Sequence, residues 1–473
     1  MKYFSIILTF VILNSCNLLT TKKSNVLSQQ EFLALTDSIS ILMHKYIYNP
    51  KELASEDYIN LEKEVKNLTN IVQTKKEFIN GFNELWKDGP FSHIQLNIAE
   101  RPATEMADFI DNLNMEGHAV SLEWADKTAI LTLTSMTGVD TKDLVFDAFH
   151  QIEKRKPEFL IIDLRNNTGG TFAGVPLIGH ILTDSVDVGM FVSQKWWQKH
   201  NKVPGKYDVM NLKSWKGWSI KTFWHDIQEE PLTRVRSTPM SPHFDGQVYV
   251  LVGNKTASAA EFTVDALAQS EQVTLIGDTT AGEMLSQKMF DLPYGFQLSL
   301  PIADYYSCRI GRIEGKGVKP DILIDQRVAM DVVHSLINGE KLEEALKKAQ
   351  LKIEKLDELP FGGETIYLFG NMNDWGKNWN ITPIFDYKGD GIYESSTTLK
   401  KGRYEFKIAP MNWDFDYGAN SDQENVSIGM KYTLMKVPGS SNLIIEIEEE
   451  SKLTFSLDVS DKVNATLLVT KSN

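Results

Sequence analysis

Cysteine is scarce in this chain: Cys16 and Cys308 are its whole complement in 473 residues. A disulfide framework is therefore not what holds the fold together. Basic charge is also lacking, with a formal net charge of -14 and no Lys/Arg-rich stripe standing out. That balance argues against a nucleic-acid partner, since a phosphate backbone attracts a basic surface. No apolar run is long enough for a permanent membrane helix; the most apolar one, Phe4 to Leu13, is too short to span a bilayer. Internal repeats and low-complexity segments are missing as well. What the chain does have is length for two or three domains and ample apolar material for a core.

The N-terminus reads MKYFSIILTFVILNSCNLL: a lysine, the short apolar run, a small residue and Cys16. This order fits a signal h-region, and LNSC resembles the lipobox of bacterial lipoproteins. The resemblance implies that Cys16 becomes the acylated first residue of an exported chain anchored in the bacterial cell envelope. No acidic run follows Cys16, which points to the periplasmic face of the outer membrane. A buried strand ending in a cysteine would fit the same residues.

Residues 17–28 are polar and unpatterned, as a tether would be. Over 29–94, FLALTDSISILMHKYI, YINLEKEVKNL and EFINGFNELW place apolar residues three and four apart, which predicts a helical cap. The period then shortens. AVSLEW, AILTLTSM, FLIIDLR, QVYVLVGN and VTLIGD alternate with amphipathic segments, predicting an α/β core over 95–328 with largely parallel strands. An aromatic insertion at 193–227 is too long for a plain connection and suggests a lid, a binding wall or an oligomer contact. Linker helices at 329–361 and a β-sandwich at 362–473 complete the expected order.

Ser258 stands in GNKTASAAE, between the apolar strand VYVLV and the periodic segment FTVDALA. Ser258-x-x-Glu261 fits a capping box, in which hydroxyl and carboxylate exchange bonds with backbone N–H groups. The same turn suits a nucleophile, because it meets free N–H groups and the positive end of a helix dipole. A second stretch, FLIIDLRNNTGGT, ends a buried strand in Gly169-Gly170, where backbone N–H groups can approach a ligand closely. A tight turn would need the same glycines.

DLRNNTGG, GNKTASAAE, IGDTTAGE and EGKGVKPDI occur in that order. Together they resemble the C-terminal-processing serine protease family, which includes the tricorn protease. The resemblance covers roughly residues 30–330 and implies a crotonase-like β/α spiral core, with Ser258 as nucleophile and no metal or cofactor. One branch of that family takes its base from a lysine 25 residues after the serine; here that place holds Glu283, so a Ser-Lys dyad is not expected. The tricorn branch uses a histidine preceded by a serine, and KDGPFSHIQLNI supplies Ser92-His93. The resemblance thus implies His93 as general base and acid and Glu314, in RIEGKGVKPDI, as the group that fixes the tautomer of His93 and stabilises its charged form. Ser92 would help place the oxyanion or Glu314, and Ala259 with Gly169 or Gly170 would form the oxyanion hole. Glu283 rivals Glu314 and could also touch substrate. The family often inserts a PDZ domain, but residues 95–119 are too few to make one.

In the tail, YLFGNMNDW followed by GRYEFKIAPMNWDFDYG resembles the immunoglobulin-like starch- and glycogen-binding sandwich modules, whose exposed Trp faces stack on sugars. Trp375, Trp379 and Trp413 are the candidates. The overall expectation is a serine endopeptidase of the envelope, acting on peptide or protein substrates through an acyl-enzyme. Two rivals stay open: an inactive protease-like binder of peptide or glycan, and a glycan-directed hydrolase.

Overall fold

The structure, a computed structural model, describes residues 25–376, 382–419, 424–437, 439–461 and 463–471. They divide into two compact units between Leu342 and Glu343. Among the described residues no helix is long and apolar enough to cross a membrane.

The first unit opens with helices Gln29–Tyr46, Glu56–Leu68 and Lys75–Trp86. Capping boxes start the first and third, Ser28 with Glu31 and Thr74 with Glu77, so each helix begins where its first N–H groups find side-chain acceptors. Phe32, Leu35, Phe78 and Phe82 from their inner faces meet Phe296, Leu298 and Leu300 in one core. Each such fully buried side chain stabilises the docking by about 1.5–3 kcal/mol.

Two sheets follow. In the first, Ile322–Leu323, Val273–Gly277, Gln247–Val252, Phe159–Asp163, Thr128–Leu133 and Val120–Ala125 lie in that order. All neighbours are parallel except the last two, which form a hairpin. Helices cover such strands on both faces, which is why FLIID reads as a continuous apolar run; Leu160, Ile161 and Ile162 have no exposed surface. The functional loops leave the C-terminal ends of Phe159–Asp163 and Gln247–Val252.

The second sheet is built around Phe296–Ser307, all of whose residues are buried. Gln95–Ile98, Ser286–Asp291 and Val186–Ser193 pair with it, and Leu232–Ser237 pairs with the last of these, all antiparallel. Apolar periodicity had located none of these strands. Burial on both faces removes the alternation, and Pro301 interrupts the run; in the fold Pro301 sits at a register shift between the long strand and Ser286–Asp291.

The aromatic insertion joins two antiparallel neighbours of this sheet and carries the short helices Gln194–Lys199, Lys206–Val209 and Ile220–Asp226. Helix Ala329–Ile337, expected as part of a linker, instead packs Ala329 and Val333 on Ile161, Leu251 and Ile276 of the parallel sheet. Its apolar stripe has to be covered, and the sheet face supplies the cover.

The second unit is a mostly antiparallel β-sandwich whose eleven described strands run from Ile366–Gly370 to Thr466–Lys471. Leu368, Phe406, Phe455 and Leu467 form part of its single core.

Candidate active site

Strand Gln247–Val252 ends in a turn that Thr256 ties down: its hydroxyl donates to Leu164 O at 2.7 Å and accepts from Gly253 N at 3.0 Å. Two residues later Ser258 adopts φ 54° and ψ -122°, a backbone region that non-glycine residues rarely occupy. Neighbours over-determine this conformation. Ser258 N donates to Glu283 O at 3.0 Å and to Glu261 Oε2 at 3.2 Å, while Ala257 N is fixed to Asn167 O at 3.0 Å. The side chain of Ser258 makes no cap hydrogen bond. Glu261 therefore caps helix Ala259–Leu267 alone, and the half-buried hydroxyl is kept out of the helix it precedes.

The glycine loop packs directly on this turn. A Cβ on Gly169 would lie 2.8 Å from Ser258 Cβ and 2.9 Å from Ala259 N, so only glycine lets the two loops touch. Gly169 N is already committed to Asn167 Oδ1 at 2.9 Å. That leaves Gly170 N–H and Ala259 N–H as the groups with no partner among the described residues. Of the alternatives Gly169 and Gly170, the second is the one with a donor to spare. Asn167 is fully buried and also donates to Leu133 O at 3.0 Å, so one side chain spans two strand ends and the glycine loop. Asp163 and Arg165 pair with each other, and Arg165 reaches Gln326 O at 2.9 Å; they brace the loop from behind.

Glu261 has no exposed surface and gathers Thr280 Oγ1 at 2.5 Å, Gly282 N at 2.8 Å and Glu283 N at 2.8 Å in addition to Ser258 N. Burial pushes its carboxyl up to about 7 against the pull of these donors. The segment 283–285 then links the nucleophile turn to Glu314, which is buried and accepts from Met284 N at 2.6 Å and Leu285 N at 3.1 Å. Glu283 thus enters the site through its backbone, with its carbonyl on Ser258 N–H.

Ser92 and His93 lie between helix Lys75–Trp86 and strand Gln95–Ile98, which Asn83 joins by two bonds of 2.9 Å to Leu96 N and O. His93 is half-buried, has φ 64°, and its Nδ1 lies 2.5 Å from Ser92 Oγ. Burial lowers the pKa of His93 below the ordinary histidine value, and the charge of Glu314 opposes this more weakly. The hydrogen bonds of Glu314 go to backbone N–H groups, the Nδ1 contact belongs to Ser92, and the charge of Glu314 favours the protonated form of His93. A Nδ1–H given to Ser92 leaves Nε2 free to accept a proton.

Behind Glu314, Arg312 Nε donates to buried Asp304 at 2.6 Å and its Nη2 lies 3.3 Å from Tyr48 Oη. Burial raises the Asp304 carboxyl to about 7, Arg312 opposing and Glu314 adding to the shift. Among the described residues no group of three or more His, Cys, Asp or Glu side chains could hold a metal ion.

The insertion meets the glycine loop through Phe172, whose ring lies 5.1 Å from Trp215 and 5.8 Å from Trp218. Trp215 is buried with Nε1 on Asp226, and Trp224 Nε1 donates to Gln287 O at 2.8 Å, so both are framework. Trp218 stays half-exposed. In the second unit, Trp375 and Trp413 are half-exposed with ring centroids 6.3 Å apart, and Phe369 stacks under Trp413 at 4.8 Å. Trp379 and Cys16 lie outside the described residues.

Residues 127–324 match peptidase family S41, and residues 361–459 match the pullulanase X25 domain. The first segment is a peptidase family S41 domain. A carboxyl-terminal-processing protease of Picosynechococcus is 23% identical over 42% of this chain and 40% of its own length. An amylopullulanase of Thermoanaerobacter thermohydrosulfuricus is 27% identical over 28% of this chain and 10% of its own. Among solved structures, the photosystem II D1 C-terminal processing protease aligns with a TM-score of 0.40 and 15% identity over 65% of this chain and 95% of that one. The chain spans only 32–40% of the length of four carboxyl-terminal-processing relatives that it matches.

The S41 domain contains Ser258, Ala259, Gly169, Gly170, Glu283 and Glu314, whereas Ser92 and His93 precede the matched residues. Sequence reasoning had seen Glu261 only as a cap and had passed over Asn167. The signal for Glu261 was its placement in a mostly apolar helix whose residues are all buried, where a carboxylate has to be hydrogen-bonded. Tyr48 is 264 residues from Arg312, so no spacing associates it with Arg312 and Asp304.

Proposed function

We propose that the chain is a serine endopeptidase of the tricorn type. Ser258 Oγ attacks the peptide carbonyl while His93 Nε2 takes its proton. The tetrahedral oxyanion accepts hydrogen bonds from Ala259 N–H and Gly170 N–H. The acyl-enzyme forms as His93 protonates the leaving amine, and water then repeats the sequence in reverse. Ser92 orients the imidazole and Glu314 stabilises its protonated form. The observation that carries this reading is the conformation of Ser258: a strained turn with its hydroxyl kept out of the helix cap, beside two uncommitted N–H groups. A helix cap would need neither feature.

On this reading Cys16 carries the lipid anchor and the protein works in the cell envelope on peptide or protein substrates. The X25 module holds it to α-glucan through the Trp375–Trp413 pair, whose half-exposed rings offer a stacking face.

Labelling with a fluorophosphonate serine probe tests the proposal. The parent is expected to label, and Ser258→Ala and His93→Ala are expected not to, with unchanged melting temperatures. A folded parent that does not label would favour the second reading, an inactive peptide-binding protein, for which Glu283 in the place of the dyad lysine is the supporting residue.

A further inference from the structure

The insertion that flanks the S41 site carries a feature unrelated to catalysis. Between residues 195 and 216 it holds six lysines and one acid, Asp208, in a chain whose net charge is -14. Interleaved with aromatics, these lysines do not read as a basic stripe, but the fold displays them. Lys202 pairs with Asp208 and Lys195 with Glu229. Lys199, Lys206, Lys213 and Lys216 are exposed and have no acidic partner among the described residues. Among them four large apolar side chains face solvent: Val203 at 63%, Tyr207 at 79%, Met210 at 51% and Leu212 at 40% exposure.

This display is held rigidly. Buried Val209 joins Trp196, Met190 and Leu232 in a small core beneath the segment. Trp196 Nε1 donates to Lys202 O at 2.9 Å, and Arg234 Nη1 donates to Met210 O at 2.8 Å and Leu212 O at 2.9 Å. Arg234 is itself fixed by both oxygens of Asp187 at 2.7 Å. With the backbone pinned at 202, 210 and 212, the neighbouring apolar side chains are kept outward at the cost of their hydration.

We propose that residues 199–216 form a contact surface for an anionic lipid bilayer. Unpaired lysines around a few outward apolar and aromatic side chains match the headgroup boundary, where lysine meets phosphate and the apolar groups enter the upper acyl region. A second copy of the chain fits less well. Four apolar side chains in ten residues fall short of the roughly 20–30 residues per side that a stable protein interface uses. Lysines with outward apolar groups bind an anionic bilayer by their own charge and apolar area, so the surface complements an anchor without depending on one.

The test is sedimentation of the chain from Asn17 onward, which keeps every described residue and lacks Cys16, with vesicles of phosphatidylcholine alone or of phosphatidylcholine and phosphatidylglycerol in equal parts. Binding is expected only to the anionic vesicles and only at low ionic strength. Lys206→Glu with Lys213→Glu, and separately Tyr207→Ser with Leu212→Ser, are each expected to weaken it at least about tenfold. The control Lys63→Glu with Lys66→Glu, on helix Glu56–Leu68, is expected to stay within about twofold of the parent. No binding to anionic vesicles, equal binding to neutral ones, or equal loss in the control would overturn the proposal. So would a solution dimer abolished by Tyr207→Ser with Leu212→Ser in the absence of vesicle binding, which would assign the face to a second copy.

Discussion

The two halves of the candidate site are built in different ways. The nucleophile half is held by backbone and by buried polar groups: Ser258 N has two acceptors, Gly169 leaves no room for a side chain, and Glu261 and Asn167 tie three loops together. The base half has one hydrogen bond on the imidazole, between Nδ1 and Ser92, and one opposing charge, from Glu314. The difference lies in what each group must do. A nucleophile has to sit within a few tenths of an ångström of fixed N–H donors, whereas a base needs reach, orientation and a matched pKa.

Removing either reacting group should have the largest effect. Ser258→Ala and His93→Ala are expected to lower kcat/KM on a peptide substrate at least about a thousandfold with little change in Tm, measured by steady-state kinetics and calorimetry. A His93→Ala enzyme as active as the parent would break the comparison, because no base half would then exist.

Next in size is Gly169→Ala. The new methyl would meet Ala257 O at 2.7 Å and Ala259 N at 2.9 Å at a φ of +86°, so backbone has to move. A loss of about 1–3 kcal/mol in urea unfolding is expected, together with weaker probe labelling. Full stability with lost labelling would mean that the loop yields and that its close approach serves only the donors.

Glu261→Gln tests the buried carboxylate through pH. Its folded-state value of about 7 stands above 4.5, so the folded protein binds this proton more tightly than the unfolded chain. Its contribution is therefore fully present below pH 4.5 and is lost as pH rises to about 7. The parent should lose up to about 3 kcal/mol over that window, and the glutamine variant should lack this slope. Denaturant unfolding at several pH values reads it directly.

The smallest effects are expected at the groups around the base, Ser92 and Glu314. Ser92→Ala removes one hydrogen bond and should cost about tenfold in kcat/KM, with Ser92→Thr restoring most of it. Activity should rise with pH as His93 loses its proton, through a midpoint below the ordinary histidine value. Glu314→Gln removes the charge that raises the pKa of His93, so this limb should move to still lower pH. A shift to higher pH would give Glu314 a different role.

Much of the nucleophile half was legible because it is local. A buried apolar strand, two glycines and a serine at a strand-to-helix turn are features of consecutive residues, and their order along the chain restricts the reading further. The base half was legible only as a Ser-His pair. What fixes the pair in the fold is strand Gln95–Ile98 on the long strand Phe296–Ser307, a sheet that periodicity did not reveal because it is buried on both faces. The contact of His93 Nδ1 with Ser92 is set by side-chain direction, which the family pattern does not carry.

By itself the sequence determined the helical entry, the parallel strands, the serine turn and the tail sandwich, since short-range periodicity and turn chemistry encode these. The tertiary structure alone decided which N–H groups are spare, that Glu261 is the cap, that Arg312 and Asp304 stand behind Glu314, and that scattered lysines share a surface with exposed apolar groups. Hydrogen-bond satisfaction and burial depend on neighbours far along the chain, and only folding brings those neighbours together.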